Sequence, residues 1–222
     1  KLKFWNNLKK KILIISGGIS KERVISLDTG RQVAKELNKY GYKVKITEPN
    51  YQLFKSIKSF KPKVIFNALH GRYGEDGCVQ GLLNILNIPY THSGVLASAL
   101  AMDKPMAKRL MKDVGIQVAE HQIVTREEMM DSGVMDAPFV IKPLNEGSSV
   151  GVSIVHENEQ FNPAAVEWRY GEQVMVEKYI AGRELTVAVM GDLALDVTEI
   201  QTRRRFYDYD AKYVQGGSRH QV

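Results

Sequence analysis

Six short stretches carry side chains whose types and spacing could do chemistry. Val140-Ile141-Lys142-Pro143-Leu144-Asn145-Glu146-Gly147-Ser148-Ser149-Val150-Gly151-Val152 says the most. A lysine ends an apolar run, and a loop with two hydroxyls and two glycines follows. Such a loop offers successive backbone N–H groups and a neighbouring cation to phosphate oxygens. Gly17-Gly18-Ile19-Ser20-Lys21-Glu22-Arg23 lets a backbone come close and sets Glu22 at a helix start. A carboxylate there either binds a substrate ammonium or simply favours the first helical turn. Leu69-His70-Gly71-Arg72-Tyr73-Gly74-Glu75-Asp76-Gly77 is a ligand loop or a long polar loop with a surface histidine. Met102-Asp103-Lys104-Pro105, taken alone, is a solvated helix start capped by Asp103. In Val176-Glu177-Lys178-Tyr179-Ile180-Ala181-Gly182-Arg183-Glu184 the two glutamates flank a turn between strands, ordinarily a charged hairpin. Phe206-Tyr207-Asp208-Tyr209-Asp210-Ala211-Lys212-Tyr213 sets four aromatics in an acidic stretch, which suits a loop folding over a site.

Other chemistries lack their signatures. The chain has no Gly-x-x-x-x-Gly-Lys-Ser/Thr and no Gly-x-Gly-x-x-Gly after its first strand. It has no His-Glu-x-x-His and no paired cysteines, and histidines 70, 92, 121, 156 and 220 show no ligand spacing.

These stretches need elements to place them. Lys11–Ser16 reads as a buried parallel strand ended by Gly-Gly. Residues 22–40 show helical spacing, with Ile25, Thr29, Val33 and Leu37 on one stripe and Gly41 as the stop. Strands at 43–47 and 64–69 and helices at 51–60 and 78–86 follow, then an extended segment and loop at 89–94. This alternation predicts a doubly wound parallel α/β domain over about residues 11–95. Ligands of such sheets collect at the carboxyl ends of the strands. Afterwards the pattern is α+β: a helix at 103–114, strands at 138–142 and 152–155, and strands at 173–180, 185–190 and 195–202. Turns are expected at Gly182 and at Gly191-Asp192. Residues 216–222 read as a loop opening into a further element, so this domain reads as unfinished.

Composition bounds the rest. The 222 residues are 44% hydrophobic and 25% charged, an ordinary globular balance that allows one large domain or two smaller ones. The single cysteine, Cys78, rules out an internal disulfide and fits a reducing compartment. Residues 1–111 hold 20 Lys+Arg against 7 Asp+Glu, and residues 112–222 hold 11 against 18. A basic half can mean nucleic acid, an anionic membrane or a small anionic substrate. Nucleic acid is disfavoured because aromatic residues for base stacking are not interleaved with the lysines. The uncharged run at 77–102 is broken by Gln80, Asn84, Asn87, Pro89, His92 and Ser93, so no membrane span is expected. Behind Lys9–Lys11 the apolar stretch is only Ile12–Ile15, too short for a signal peptide, so a cytoplasmic location is expected.

In order and spacing the six stretches together resemble the D-alanine–D-alanine ligase family of the ATP-grasp superfamily, over about residues 11–220. The resemblance implies an α/β fold. A basic tail at 1–10 would precede an N-terminal, substrate-binding, pre-ATP-grasp domain with a doubly wound parallel sheet over 11–96. An ATP-grasp α+β domain would follow, with a central subdomain at 97–183 and the start of a C-terminal subdomain with its lid loop at 184–222. It implies ATP-dependent joining of two D-alanines through an acyl phosphate, with Mg²⁺ or Mn²⁺, for peptidoglycan precursors. Glu22 would hold the ammonium of the first D-alanine. Ser148 and Tyr213 would form a triad with Glu22 that closes the lid. His70 would lie beside the reacting carboxyl. Lys104, Lys142 and Lys212 would contact phosphates, and Ser149 would offer its backbone N–H. Glu177, Lys178 and Ile180 would face the adenine edge, Glu184 the ribose, and Phe206 would pack near the base. Tyr213 would favour an amine over a hydroxy acid as second substrate. A homodimer is a family-level expectation.

The pattern departs in one respect. The family's metal ligands, an Asp and a later Glu-x-Asn, and an intermediate-stabilising arginine would fall beyond Val222. This implies either part of a longer protein or a defective fragment. Two other readings stand beside the ligase: another ATP-grasp carboxylate–amine ligase, and a non-catalytic nucleotide-binding module.

Overall fold

The computed structural model describes residues 10–131, 134–166, 168–202, 207–214 and 216–222. The chain divides into two compact units, Lys1–Met102 and Asp103–Val222.

The first unit is built on β1, Lys11–Ile15, between β2, Lys43–Thr47, and β3, Val64–Asn67, all parallel in the order β2-β1-β3. Tyr90 adds a parallel bridge to Ile65. The β1 side chains alternate in direction and are buried on both faces, which is why the strand is a continuous apolar run. On one face Leu13 and Ile15 pack with Leu53, Leu69, Val79 and Leu83. On the other, Ile12 and Ile14 pack with Ala34 and Ala68. Helix α1, Arg23–Lys39, covers the second face; α2, Tyr51–Phe60, and α3, Cys78–Ile85, cover the first. The innermost residues of α1 are Ser26, Gly30 and Ala34, one position on from the expected stripe. The cause is close approach: a Cβ at Gly30 would stand 2.7 Å from Ser16 Cβ. Val33 and Leu37 flank this contact and are only partly buried. A helix α4, Val95–Met102, follows where no element was expected.

The second unit begins with α5, Lys104–Asp113, whose cap is the Asp103 carboxylate accepting from Met106 N–H at 3.0 Å. An antiparallel sheet in the order β4-β7-β5-β6 comes next: β4 His121–Thr125, β5 Phe139–Pro143, β6 Ser153–Val155, β7 Gln173–Lys178. With α6, Arg126–Asp131, it encloses Val124, Met129, Phe139, Ile141, Val155, Val174 and Val176. Neither β4 nor α6 was expected. The other sheet, β10-β9-β8, contains β8 Glu184–Met190, β9 Leu193–Thr202 and β10 Ser218–Gln221. A five-residue helix α7, Tyr209–Tyr213, lies between β9 and β10.

Two expectations need correction. Strands β7 and β8 belong to different sheets, so the segment around Gly182 crosses between sheets and is not a hairpin turn. The turn at Gly191-Asp192 does join an antiparallel pair, β8 and β9, with Gly191 in the left-handed region at φ 63°. Residues 218–221 form a strand paired with β9, where a loop was expected. Among the described residues no helix is long and apolar enough to cross a membrane.

Candidate functional site

Strand register builds the site of the second unit. Phe139, Ile141, Val174 and Val176 point into the core, so the residues between them point the other way. Val140 pairs with Glu177 and with Ile154, which puts Lys142, two residues on, diagonally beside Glu177. The Lys142 ammonium donates to Glu177 Oε1, and the Lys108 ammonium donates to Oε2 at 2.5 Å. One carboxylate thus joins a helix and two strands. Burial pushes the Glu177 carboxyl up; the two lysines outweigh burial and hold it below the usual carboxylate range.

Lys104 lies one turn before Lys108 on α5, hence on the same face. Its ammonium donates to the carbonyls of Leu144 at 3.3 Å and Glu146 at 2.5 Å, tying the helix to the start of the 144–152 loop. Burial first, and then the Lys142 charge, lower its pKa to about 8 against the pull of Glu146, Glu177 and Asp103.

The loop itself turns tightly. Ser148 and Ser149 hold left-handed conformations at φ 49° and 59°, and Gly151 follows at 69°. Serines in that region are uncommon and cluster at functional sites. Val150 N–H donates to Gly147 carbonyl and Val152 N–H to Ser149 carbonyl, closing two successive turns. The acidic aromatic segment is pinned onto this loop: Ser148 Oγ and Tyr213 Oη lie 2.9 Å apart, and Ser149 Oγ donates to Tyr207 carbonyl at 2.9 Å. The Lys212 ammonium stands 5.2 Å from the Tyr207 ring centroid.

A cleft of about 720 Å³ opens here. Ser149, Glu177, Lys178, Ile180, Glu184 and Lys212 line it, six of the residues that the resemblance assigns to ATP. Val140, Val152, Ile154 and Ile200 give it an apolar wall suited to a flat base. Lys104 and Lys142 are not among its lining residues. Phe206 lies outside the described residues.

In the first unit Glu22 is 3% exposed, and its Oε2 would be 3.2 Å from a Cβ at Gly71, the residue after His70. Gly71 has φ 64°, so a side chain there would be both strained and crowded. His70 Nδ1 is 3.8 Å from Glu75 Oε1, and its Nε2 is buried with no hydrogen-bond partner among the described residues. The neighbouring Glu75 carboxylate raises the His70 pKa; burial opposes it, and the Glu22 charge adds to the rise. The loop is held by a buried network in which Asn67 Nδ2 and Gln80 Nε2 both donate to Gly74 carbonyl at 2.8 Å.

Sequence reasoning missed Lys108, Tyr207, Asn67 and Glu75. Lys108 had a signal, its four-residue offset from Lys104. Asn67 had none, since an Asn at a strand end is also an ordinary turn residue. Among the described residues no group of three His, Cys, Asp or Glu side chains could hold a metal ion.

A profile described as "D-ala D-ala ligase C-terminus" matches residues 110–222, and "D-ala D-ala ligase N-terminus" matches residues 45–93. A D-alanine–D-alanine ligase of Parvibaculum lavamentivorans is 54% identical over 214 residues, 95% of this chain and 70% of that protein. The D-alanine–D-alanine ligase B of Mesorhizobium japonicum is 52% identical over 216 residues, 96% and 70% of the two chains. A crystal structure of D-alanine–D-alanine ligase from Bacillus anthracis complexed with ATP is 32% identical with a TM-score of 0.74, covering 96% of this chain and 70% of that one. The chain belongs to the D-alanine–D-alanine ligase family.

Proposed function

We infer that the protein joins two D-alanines into D-alanyl-D-alanine at the expense of ATP, for peptidoglycan precursor synthesis. A carboxylate is a poor electrophile; phosphoryl transfer from ATP turns it into an acyl phosphate, and the amine of the second D-alanine displaces phosphate. This chemistry asks a protein mainly for positioning and for cations around the moving charge.

The observation that carries the reading is the loop at 144–152, with Lys142 before it, Lys104 bonded to its first carbonyls and an apolar-walled cleft at its side. Lys104, Lys142 and Lys212 hold the phosphates, and Ser149 adds its N–H. Glu177, Lys178, Ile180 and Glu184 take the nucleoside, with Phe206 near the base. Tyr207 and Tyr213, anchored on Ser149 and Ser148, keep water from the acyl phosphate. Glu22 holds the ammonium of the first D-alanine. His70, whose pKa is raised by Glu75, faces the reacting carboxylate. Residues 11–96 serve the amino acids and residues 97–222 the nucleotide. ATP enters as its Mg²⁺ (or Mn²⁺) complex, in the cytoplasm, and the assembly is a homodimer.

The test is phosphate release from ATP with Mg²⁺, with D-alanine present or absent, and with D-lactate offered as the second substrate. Release that depends on D-alanine and prefers the amine is expected. Release without D-alanine overturns the ligase reading, and a preference for D-lactate overturns the role of Tyr213.

A further inference from the structure

The resemblance gives Lys108 no role, and a lysine on a helix face is ordinarily solvated. Here it is not. The Lys108 side chain is 12% exposed and that of Glu177 14%, and their charged atoms are 2.5 Å apart. The other Glu177 oxygen holds Lys142, whose side chain is 21% exposed. Two ammoniums therefore share one carboxylate, each with its own oxygen. The trio carries a net charge of +1, with Lys104 adding to it from the preceding turn.

We propose that Lys108 is a positioning residue for nucleotide binding: by occupying Glu177 Oε2 it keeps that carboxylate from cancelling Lys142, so the trio stays cationic toward an incoming triphosphate. Without Lys108, Glu177 faces Lys142 alone. The pair is then neutral, and both oxygens are free to chelate the same ammonium, so Lys142 offers less charge to the phosphates. In a partly buried cluster this difference is not screened as it is on an open surface. The sign of the effect follows from charge balance, not from packing, because the aliphatic stem of Lys108 can be kept while its charge is removed.

The inference rests on the cleft taking ATP, and the experiment separates the two. Mg²⁺-ATP affinity is measured by titration calorimetry on the active enzyme and on Lys108→Met, Lys108→Arg, Glu177→Gln and the Lys108→Met/Glu177→Gln pair. Lys108→Met should weaken ATP binding about tenfold, the scale of one lost charge contact. Lys108→Arg should restore affinity to within about threefold, since it keeps the charge. In the Glu177→Gln background, Lys108→Met should cost less than about twofold, because no carboxylate remains to be balanced. The KM for D-alanine should not move in Lys108→Met. If Lys108→Met fails to fold, Lys108→Gln carries the same expectation, keeping a donor to Glu177 without the charge.

Unchanged ATP affinity in Lys108→Met, or an equal loss in both backgrounds, overturns the role of Lys108. Loss of D-alanine and ATP affinity together would mark a general structural defect and also overturns it. The ligase reading is judged separately, by D-alanine-dependent phosphate release of the unsubstituted enzyme. An unsubstituted protein that binds no ATP overturns both.

Discussion

At the scale of single residues, the site works by shifting charge balance with burial. Lys104 is lowered to about 8 by burial and by Lys142. It is therefore cationic below that pH and loses its charge above it, so ATP affinity should fall as pH rises from 7 to 9. Calorimetric titration across that range checks this, and Lys104→Arg should flatten the dependence. His70 is shifted the other way, with Glu75 as the main cause. Its bonded, protonated form stabilises the fold fully below the ordinary histidine pKa, and that contribution fades as pH rises through the raised value. Glu75→Gln removes the main cause, so the His70 ring should titrate lower by NMR than in the unsubstituted protein. A value that stayed raised would leave Glu22 as the dominant partner. Lys142 was legible in the sequence because a cation closing an apolar run before a glycine-serine loop is a rare combination. Glu177 was legible only through resemblance. Its bond to Lys108 spans 69 residues of sequence, and no local pattern encodes such a contact.

At the scale of elements, what was legible followed burial. β1 and helix α2 stood out because a doubly buried strand or a half-buried helix writes its environment into its own residues. Helix α4 did not, since Val95-Leu96-Ala97-Ser98-Ala99-Leu100-Ala101-Met102 is apolar but for Ser98 and shows no period. Strand β4 did not either: His121 and Gln122 look like loop, and its place comes from pairing with β7. The β7–β8 segment misled because a glycine between two apolar runs is also the mark of a hairpin. The 144–152 loop offers a direct check. A Cβ at Gly151 would stand 2.7 Å from Tyr170 Cε2 and 2.9 Å from Pro143 Cγ, at a φ of 69°. Gly151→Ala should cost about 1–3 kcal/mol by thermal denaturation and weaken ATP binding with it, since the loop must move to fit the methyl. A fully stable Gly151→Ala protein would mean that the loop yields easily.

At the scale of the whole molecule, the two sheets of the second unit differ in kind. The sheet of β4 to β7 has one face in the core and the other on the cleft. The sheet of β8 to β10 leaves Leu185, Val187, Val189, Leu195 and Val197 between 42% and 67% exposed. Apolar strands presented this way associate. The 222-residue chain should therefore self-associate with rising concentration, as followed by light scattering. Val187→Lys with Val197→Glu, directly paired across β8 and β9, should suppress this without loss of strand pairing. If scattering does not change, the contact surface lies elsewhere.

The cluster of Lys104, Lys108, Lys142 and Glu177 bears on the molecule in one more way. A protein that holds two ammoniums on one carboxylate, with a third on the preceding helical turn, carries like-charge repulsion in its folded form, and unfolding releases it. A bound polyphosphate would remove that burden. On the proposed reading the fold gives up some thermal resistance here for function, and ATP should raise the melting temperature by the amount its dissociation constant sets.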